Sequence, residues 1–113
     1  MIKIYHNPRC SKSREGLCFL KDQNNEVEII NYIDNPLTIN ELKNIIALLK
    51  IKPIDLVRVK ESIWKDNYKD KVLTDDQLIE AMVANPKLIE RPIVVNGNKA
   101  VIARPLEKIN EIL

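Results

Sequence analysis

One cysteine of this chain stands where its sulfur could do chemistry. Cys10 follows the loop His6-Asn7-Pro8-Arg9, in which Asn and Pro favour a turn, and it precedes a helically patterned segment from about Ser11 to Lys21. A side chain at such a junction meets the unpartnered N–H groups of the first helical turn and the positive end of the helix dipole. Both favour thiolate over thiol. Arg9, Lys12 and Arg14 add formal positive charge, and His6 lies four residues upstream. A thiolate so placed is a nucleophile and the floor of an anion site. The bland alternative is a buried, inert thiol, but polar and cationic flanks are wrong for one.

Two familiar cysteine signatures are absent. Ser13 stands where C-x-x-C would need its second thiol, and Gly16 stands where a C-x5-R phosphate loop would need arginine. What remains is a one-cysteine site, Cys10-Ser11-Lys12-Ser13-Arg14, opening a helix. Eight residues of helix separate Cys18 from Cys10, roughly 12 Å of rise, whereas a disulfide needs Cα atoms within about 7 Å. Cys18 is therefore expected to be a small core residue on a face shared with Leu17 and Leu20. His6 has two readings. Charged, it would lower the Cys10 pKa; neutral, its ring would only hydrogen-bond the loop.

The elements that must hold this site follow from the pattern. Lys3-Ile4-Tyr5 begins as a strand, and Val27 to Tyr32 is rich in β-branched residues, so the opening is β-α-β. Thr38-Ile39-Asn40-Glu41 and Thr74-Asp75-Asp76-Gln77 are capping boxes, starting one helix that runs to about Lys50 and another stopped by Asn85-Pro86. Pro53 opens a short helix through Arg58, and the stretch from Lys60 to Lys71 reads as charged and irregular. Ile93-Val94-Val95 and Lys99 to Ile102 form a hairpin about Asn96-Gly97-Asn98. Pro105 to Leu113 closes the chain as a helix with Leu106, Ile109, Ile112 and Leu113 inward. The order is β-α-β, helices, then β-β-α: an α/β fold with a mixed sheet and a helical insertion between its halves.

Composition excludes several classes. The 113 residues fit one domain, 1–113, with an ordinary balance of 45% hydrophobic and 30% charged residues. A net charge of +2 and 4% aromatic residues argue against a nucleic-acid partner. No apolar run reaches the roughly 20 residues that cross a bilayer, and Met1 to Tyr5 does not open a signal peptide. The expected address is the cytoplasm, where both cysteines begin as thiols. Two cysteines and a single histidine do not make a structural zinc site, so no metal is expected. Thirteen of the 18 basic residues are lysines, and the five arginines are Arg9, Arg14, Arg58, Arg91 and Arg104. Any one of them taken alone is most simply a surface cation. Yet the planar fork of arginine suits oxyanions as an ammonium does not.

Tyr5-His6-Asn7-Pro8-Arg9-Cys10-Ser11-Lys12-Ser13-Arg14 resembles the motif H-N-P-x-C-x-x-S-R of the glutaredoxin-coupled arsenate reductases. The similarity extends through Leu56-Val57-Arg58, Thr74 to Ile79, Arg91-Pro92-Ile93-Val94-Val95 and Ala103-Arg104-Pro105. It implies a thioredoxin-like fold with the helical insertion at about 35–90. It implies Cys10 as nucleophile, His6 as its tuner, and Arg58, Arg91 and Arg104 as oxyanion ligands, with Ser13 and Arg14 beside them. It also implies a cis proline, Pro92, facing the cysteine. The chemistry implied has the Cys10 thiolate attacking arsenate, glutathione as co-substrate attacking the adduct, and glutaredoxin reducing the mixed species as arsenite leaves. A monomer with no bound cofactor is expected. The chain departs from the family pattern at Ser11-Lys12, where Gly-Thr is usual in residues lining the anion cradle. Two other functions are compatible with the segment: a monothiol glutathione-dependent oxidoreductase of C-x-x-S form, and a redox regulator that binds RNA polymerase.

Overall fold

The computed structural model describes residues 2–23 and 26–113, which form two compact units, 1–35 with 91–113 and 36–90. In the first unit, β1 (Ile2–His6), β2 (Val27–Asn31), β3 (Ile93–Asn96) and β4 (Lys99–Ile102) make one sheet in the order β2-β1-β3-β4. β1 pairs parallel with β2, Ile4 opposite Ile29, and antiparallel with β3, Ile4 opposite Val94. β3 turns into β4 through Gly97 at φ 62°, a conformation that suits glycine. The inner strands carry the buried residues Ile4, Ile93 and Val94, and Ile29 on the edge strand is 46% exposed. Helix α1 (Ser11–Asp22) joins β1 to β2 and shares the core of Ile2, Ile4, Val94 and Ala103 through Leu20.

Burial on α1 follows the helical period from Ser13 to Gly16 to Leu20. Cys18 is two residues from both Gly16 and Leu20, about 200° around the helix from each. It is accordingly exposed, which corrects the expectation of a core thiol. Gly16 has a packing reason. A Cβ there would stand 2.9 Å from Pro92 Cγ, so the proline ring lies directly on the helix backbone.

The second unit is built around α2 (Ile39–Leu49) and α4 (Asp75–Ala84), which pack together. Both begin with the expected capping boxes. Thr38 Oγ1 accepts the Glu41 N–H at 3.1 Å and Glu41 Oε1 accepts the Thr38 N–H at 3.3 Å; Thr74 and Gln77 repeat the exchange at 3.2 and 2.9 Å. A 3-10 turn spans Pro53–Leu56, and an antiparallel bridge pairs Val57 with Ile89. The stretch read as irregular contains a short helix, α3 (Ser62–Asn67), anchored by buried Trp64, which stacks on Tyr68 at 5.6 Å. One inward residue gives no periodic signal, so the pattern hid it. The closing segment is a 3-10 helix, Leu106–Glu111; Ile109 and Ile112 are buried as expected, whereas Leu113 is 48% exposed. Among the described residues no helix is long and apolar enough to cross a membrane.

Gly16→Ala sets helix propensity, which favours alanine by about 1 kcal/mol, against overpacking on a rigid ring, which costs about 1–3 kcal/mol. The expected result is a net loss of about 1 kcal/mol in urea unfolding. A more stable variant would show that Pro92 yields easily.

Candidate active site

The loop between β1 and α1 is tied down by Asn7, a residue the sequence offered only as a turn former. Its carbonyl accepts the Cys10 N–H at 3.0 Å, and its Oδ1 accepts the Arg9 N–H at 3.0 Å. Its own N–H donates to Ser13 Oγ at 2.9 Å. These bonds place Cys10 at the N-cap of α1 with extended backbone, φ −100° and ψ 122°. The Cys10 carbonyl accepts the Arg14 N–H at 3.0 Å, closing the first helical turn. No acidic residue lies in that turn, so nothing there offsets the dipole.

The Cys10 sulfur is partly buried and makes no formal cap hydrogen bond. Burial alone pushes its pKa up. The Ser13 N–H, the Arg91 guanidinium and the Lys12 N–H outweigh burial together, and the thiol titrates below the ordinary value. Arg91 immediately precedes Pro92 and β3, so its side chain is delivered from the sheet to the helix start. Two of its nitrogens, Nε and Nη1, are buried and have no acceptor among the described residues. Buried donors normally find partners. Here they lie on the guanidinium that faces the Cys10 sulfur.

His6 is 6% exposed, and its Nδ1 lies 2.6 Å from Ser13 Oγ. Burial lowers its pKa; a hydrogen bond to the Ser13 backbone opposes this, and the charges of Arg14 and Lys21 lower it further. Burial and the two positive charges both favour the neutral imidazole. The shift runs against the expected role of His6 as a charged neighbour of Cys10, and its ring braces the loop through Ser13. The Ser13 hydroxyl, wholly buried, is engaged by His6 and Asn7, so it is the Ser13 backbone N–H that faces the sulfur. Arg14 is exposed on α1.

Pro92 is fully buried, and the Arg91–Pro92 bond is cis. Its carbonyl accepts the Ala103 N–H at 2.9 Å. The Arg104–Pro105 bond is cis as well, which the sequence did not indicate. Arg104 Nε donates to the Arg91 carbonyl at 2.6 Å, joining two of the expected anion ligands through backbone. Arg58 belongs to the second unit, where its Nη1 meets Glu61 Oε1 at 2.6 Å and its N–H donates to the Leu88 carbonyl at 2.7 Å. Among the described residues no three His, Cys, Asp or Glu side chains gather as a metal site.

A β-α-β unit and a β-hairpin in one mixed sheet, with a lone thiol capping the first helix and a cis proline opening the third strand, define a thioredoxin-like thiol protein. The ArsC family model matches residues 5–112, and the chain belongs to that family. It is 46% identical to the uncharacterised protein YfgD of Escherichia coli (strain K12), over 99% of this chain and 96% of that one. It is 41% identical to the arsenate reductase of Neisseria meningitidis serogroup B, over 99% and 97% of the two chains. The solved structure of an arsenate reductase from Vibrio cholerae superposes with a TM-score of 0.94 at 43% identity, over 99% of this chain and 97% of that one.

The lowered Cys10 pKa predicts that alkylation by iodoacetamide has a pH midpoint below the free-thiol value, and that Arg91→Gln moves the midpoint upward. A midpoint at or above the free value in the unaltered protein, or one insensitive to Arg91, would contradict the electrostatic assignment.

Proposed function

We propose that the protein reduces arsenate to arsenite with external thiols. The observation that carries this reading is Arg91, whose guanidinium lowers the Cys10 pKa while its Nε and Nη1 lie buried without an acceptor. A tetrahedral oxyanion beside the sulfur would satisfy both donors through charge-assisted hydrogen bonds. The names of the Neisseria and Vibrio relatives support arsenate as that oxyanion.

In the proposed reaction the Cys10 thiolate forms a bond to arsenic and one arsenate oxygen leaves as water after protonation. Glutathione then attacks the adduct. Arsenic accepts two electrons and departs as arsenite, and the two electrons come from two thiols that end as a disulfide, which glutaredoxin returns to the thiol state. Cys18 takes no part, because it lies about two turns along α1 from Cys10. Attack places more negative charge on the substrate oxygens, so a cation already in position helps most in the transition state. Arg104, bonded to the Arg91 carbonyl, supports that guanidinium and extends the cationic surface. The family resemblance assigns Arg58 to the same oxyanion. No bound cofactor or metal enters this scheme, and a monomer in a reducing, cytoplasmic setting suffices for it.

The test is arsenate reduction with glutathione and glutaredoxin supplied. Cys10→Ser should abolish it and Cys18→Ser should leave most of it. Arg91→Lys, Arg104→Lys and Arg58→Lys each keep the charge and remove the fork. Each should lower kcat/KM for arsenate tenfold or more, about 1.4 kcal/mol. Full activity in all three lysine variants would favour a monothiol oxidoreductase acting on disulfides instead.

A further inference from the structure

Arg58 is held more firmly than a surface cation needs. Its N–H donates to the Leu88 carbonyl at 2.7 Å, and its carbonyl accepts the Glu61 N–H at 3.1 Å. Just before it, the chain is locked by the Val57–Ile89 bridge and by the Leu56 carbonyl, which accepts the Glu90 N–H at 2.9 Å. Leu56, Val57, Leu88 and Ile89 are buried, so the backbone at position 58 stands on a packed base. The side chain is fixed as well. Nη1 donates to Glu61 Oε1 at 2.6 Å, with the two side chains only 21% and 29% exposed. Glu61 makes this contact from the N-cap of α3, the helix anchored by Trp64. Serine, threonine, aspartate and asparagine favour such a position because their short side chains cap the helix. Glu61 makes no side-chain cap bond, and its carboxylate turns back to Arg58 instead.

We infer that Glu61 is a positioning residue, which holds the Arg58 guanidinium by one nitrogen so that the others are presented to the oxyanion. The inference rests on the proposed arsenate reading, in which Arg58 is an oxyanion ligand. The bond at Nη1 leaves Nε and Nη2 without a partner among the described residues. Those two nitrogens share one edge of the guanidinium and form the fork that grips an oxyanion bidentately. An arginine that orders its side chain only on binding gives up rotamer freedom at that moment. One already ordered by a neighbour binds without that loss, the general gain from preorganisation. The opposite reading makes Glu61, itself an oxyanion, a competitor for Arg58. A competitor would cover the fork, whereas Glu61 touches Nη1, outside it. Ordering Arg58 helps the bound state and the transition state alike, so its loss falls on KM and spares kcat.

The test is the arsenate KM of Glu61→Ala and Glu61→Gln, with glutathione and glutaredoxin in excess. Glu61→Ala should raise that KM about fivefold or more with kcat little changed. Glu61→Gln keeps an acceptor oxygen for Nη1 and should restore most of the lost affinity. Because Glu61 acts through Arg58, adding Glu61→Ala to Arg58→Lys should cause no further loss. A second readout needs no turnover. Inorganic phosphate titrated into the ¹⁵N-labelled protein should shift the Arg58 Nε–H saturably, and the Kd should weaken in Glu61→Ala. That result without any arsenate turnover would support the role of Glu61 and sink the arsenate reading. Arsenate turnover with a KM indifferent to Glu61→Ala, a KM lowered by it, or a full additional loss on top of Arg58→Lys would overturn the role of Glu61 and leave arsenate reduction standing.

Discussion

A thiol whose pKa is lowered stands at the start of a helix, and the surrounding structure can be understood from that requirement. Burial of the Cys10 sulfur disfavours its charge, so the protein must supply compensating donors. It does so from two sources that are far apart in sequence: the N–H groups of Ser13 and Lys12, and the guanidinium of Arg91. The first source needs the loop from His6 to Cys10 to enter α1 at a fixed angle. Asn7 and Ser13 set that angle with three hydrogen bonds. The buried ring of His6, its pKa lowered chiefly by burial, completes the brace on Ser13.

The second source needs the sheet. Arg91 reaches the helix start because β3 pairs with β1, the strand that leads into the cysteine loop. Close approach of Pro92 to α1 is possible only because position 16 has no side chain. A glycine inside a helix costs about 1 kcal/mol relative to alanine, and here it permits the close packing of Pro92, the residue that follows Arg91, on α1.

Much of this was legible in the sequence because it is local. Capping boxes at Thr38 and Thr74 are read from residues three apart, and the hairpin at Gly97 from a turn between β-branched runs. Cys10 itself was legible from its cationic flanks. What was not legible depends on tertiary choice. Helical patterning does not say which side of α1 turns inward, and it allows Cys18 a face that the Ser13, Gly16 and Leu20 stripe excludes. Helix α3 has a single buried anchor, Trp64, and its stacking on Tyr68 carries no periodic signal. The charge state of His6 depends on burial and on cations elsewhere on α1, which proximity in sequence did not reveal.

The proposed arsenate chemistry requires Arg91 and the helix start to form one oxyanion site around the Cys10 sulfur. The most direct measurement is an arsenate titration followed by ¹⁵N NMR of the arginine Nε–H groups and the backbone amides. The account predicts a saturable shift of the Arg91 Nε–H together with the Ser13 amide, absent when chloride replaces arsenate at equal ionic strength. Arsenate binding that leaves both resonances unmoved, or that chloride reproduces in full, would contradict it.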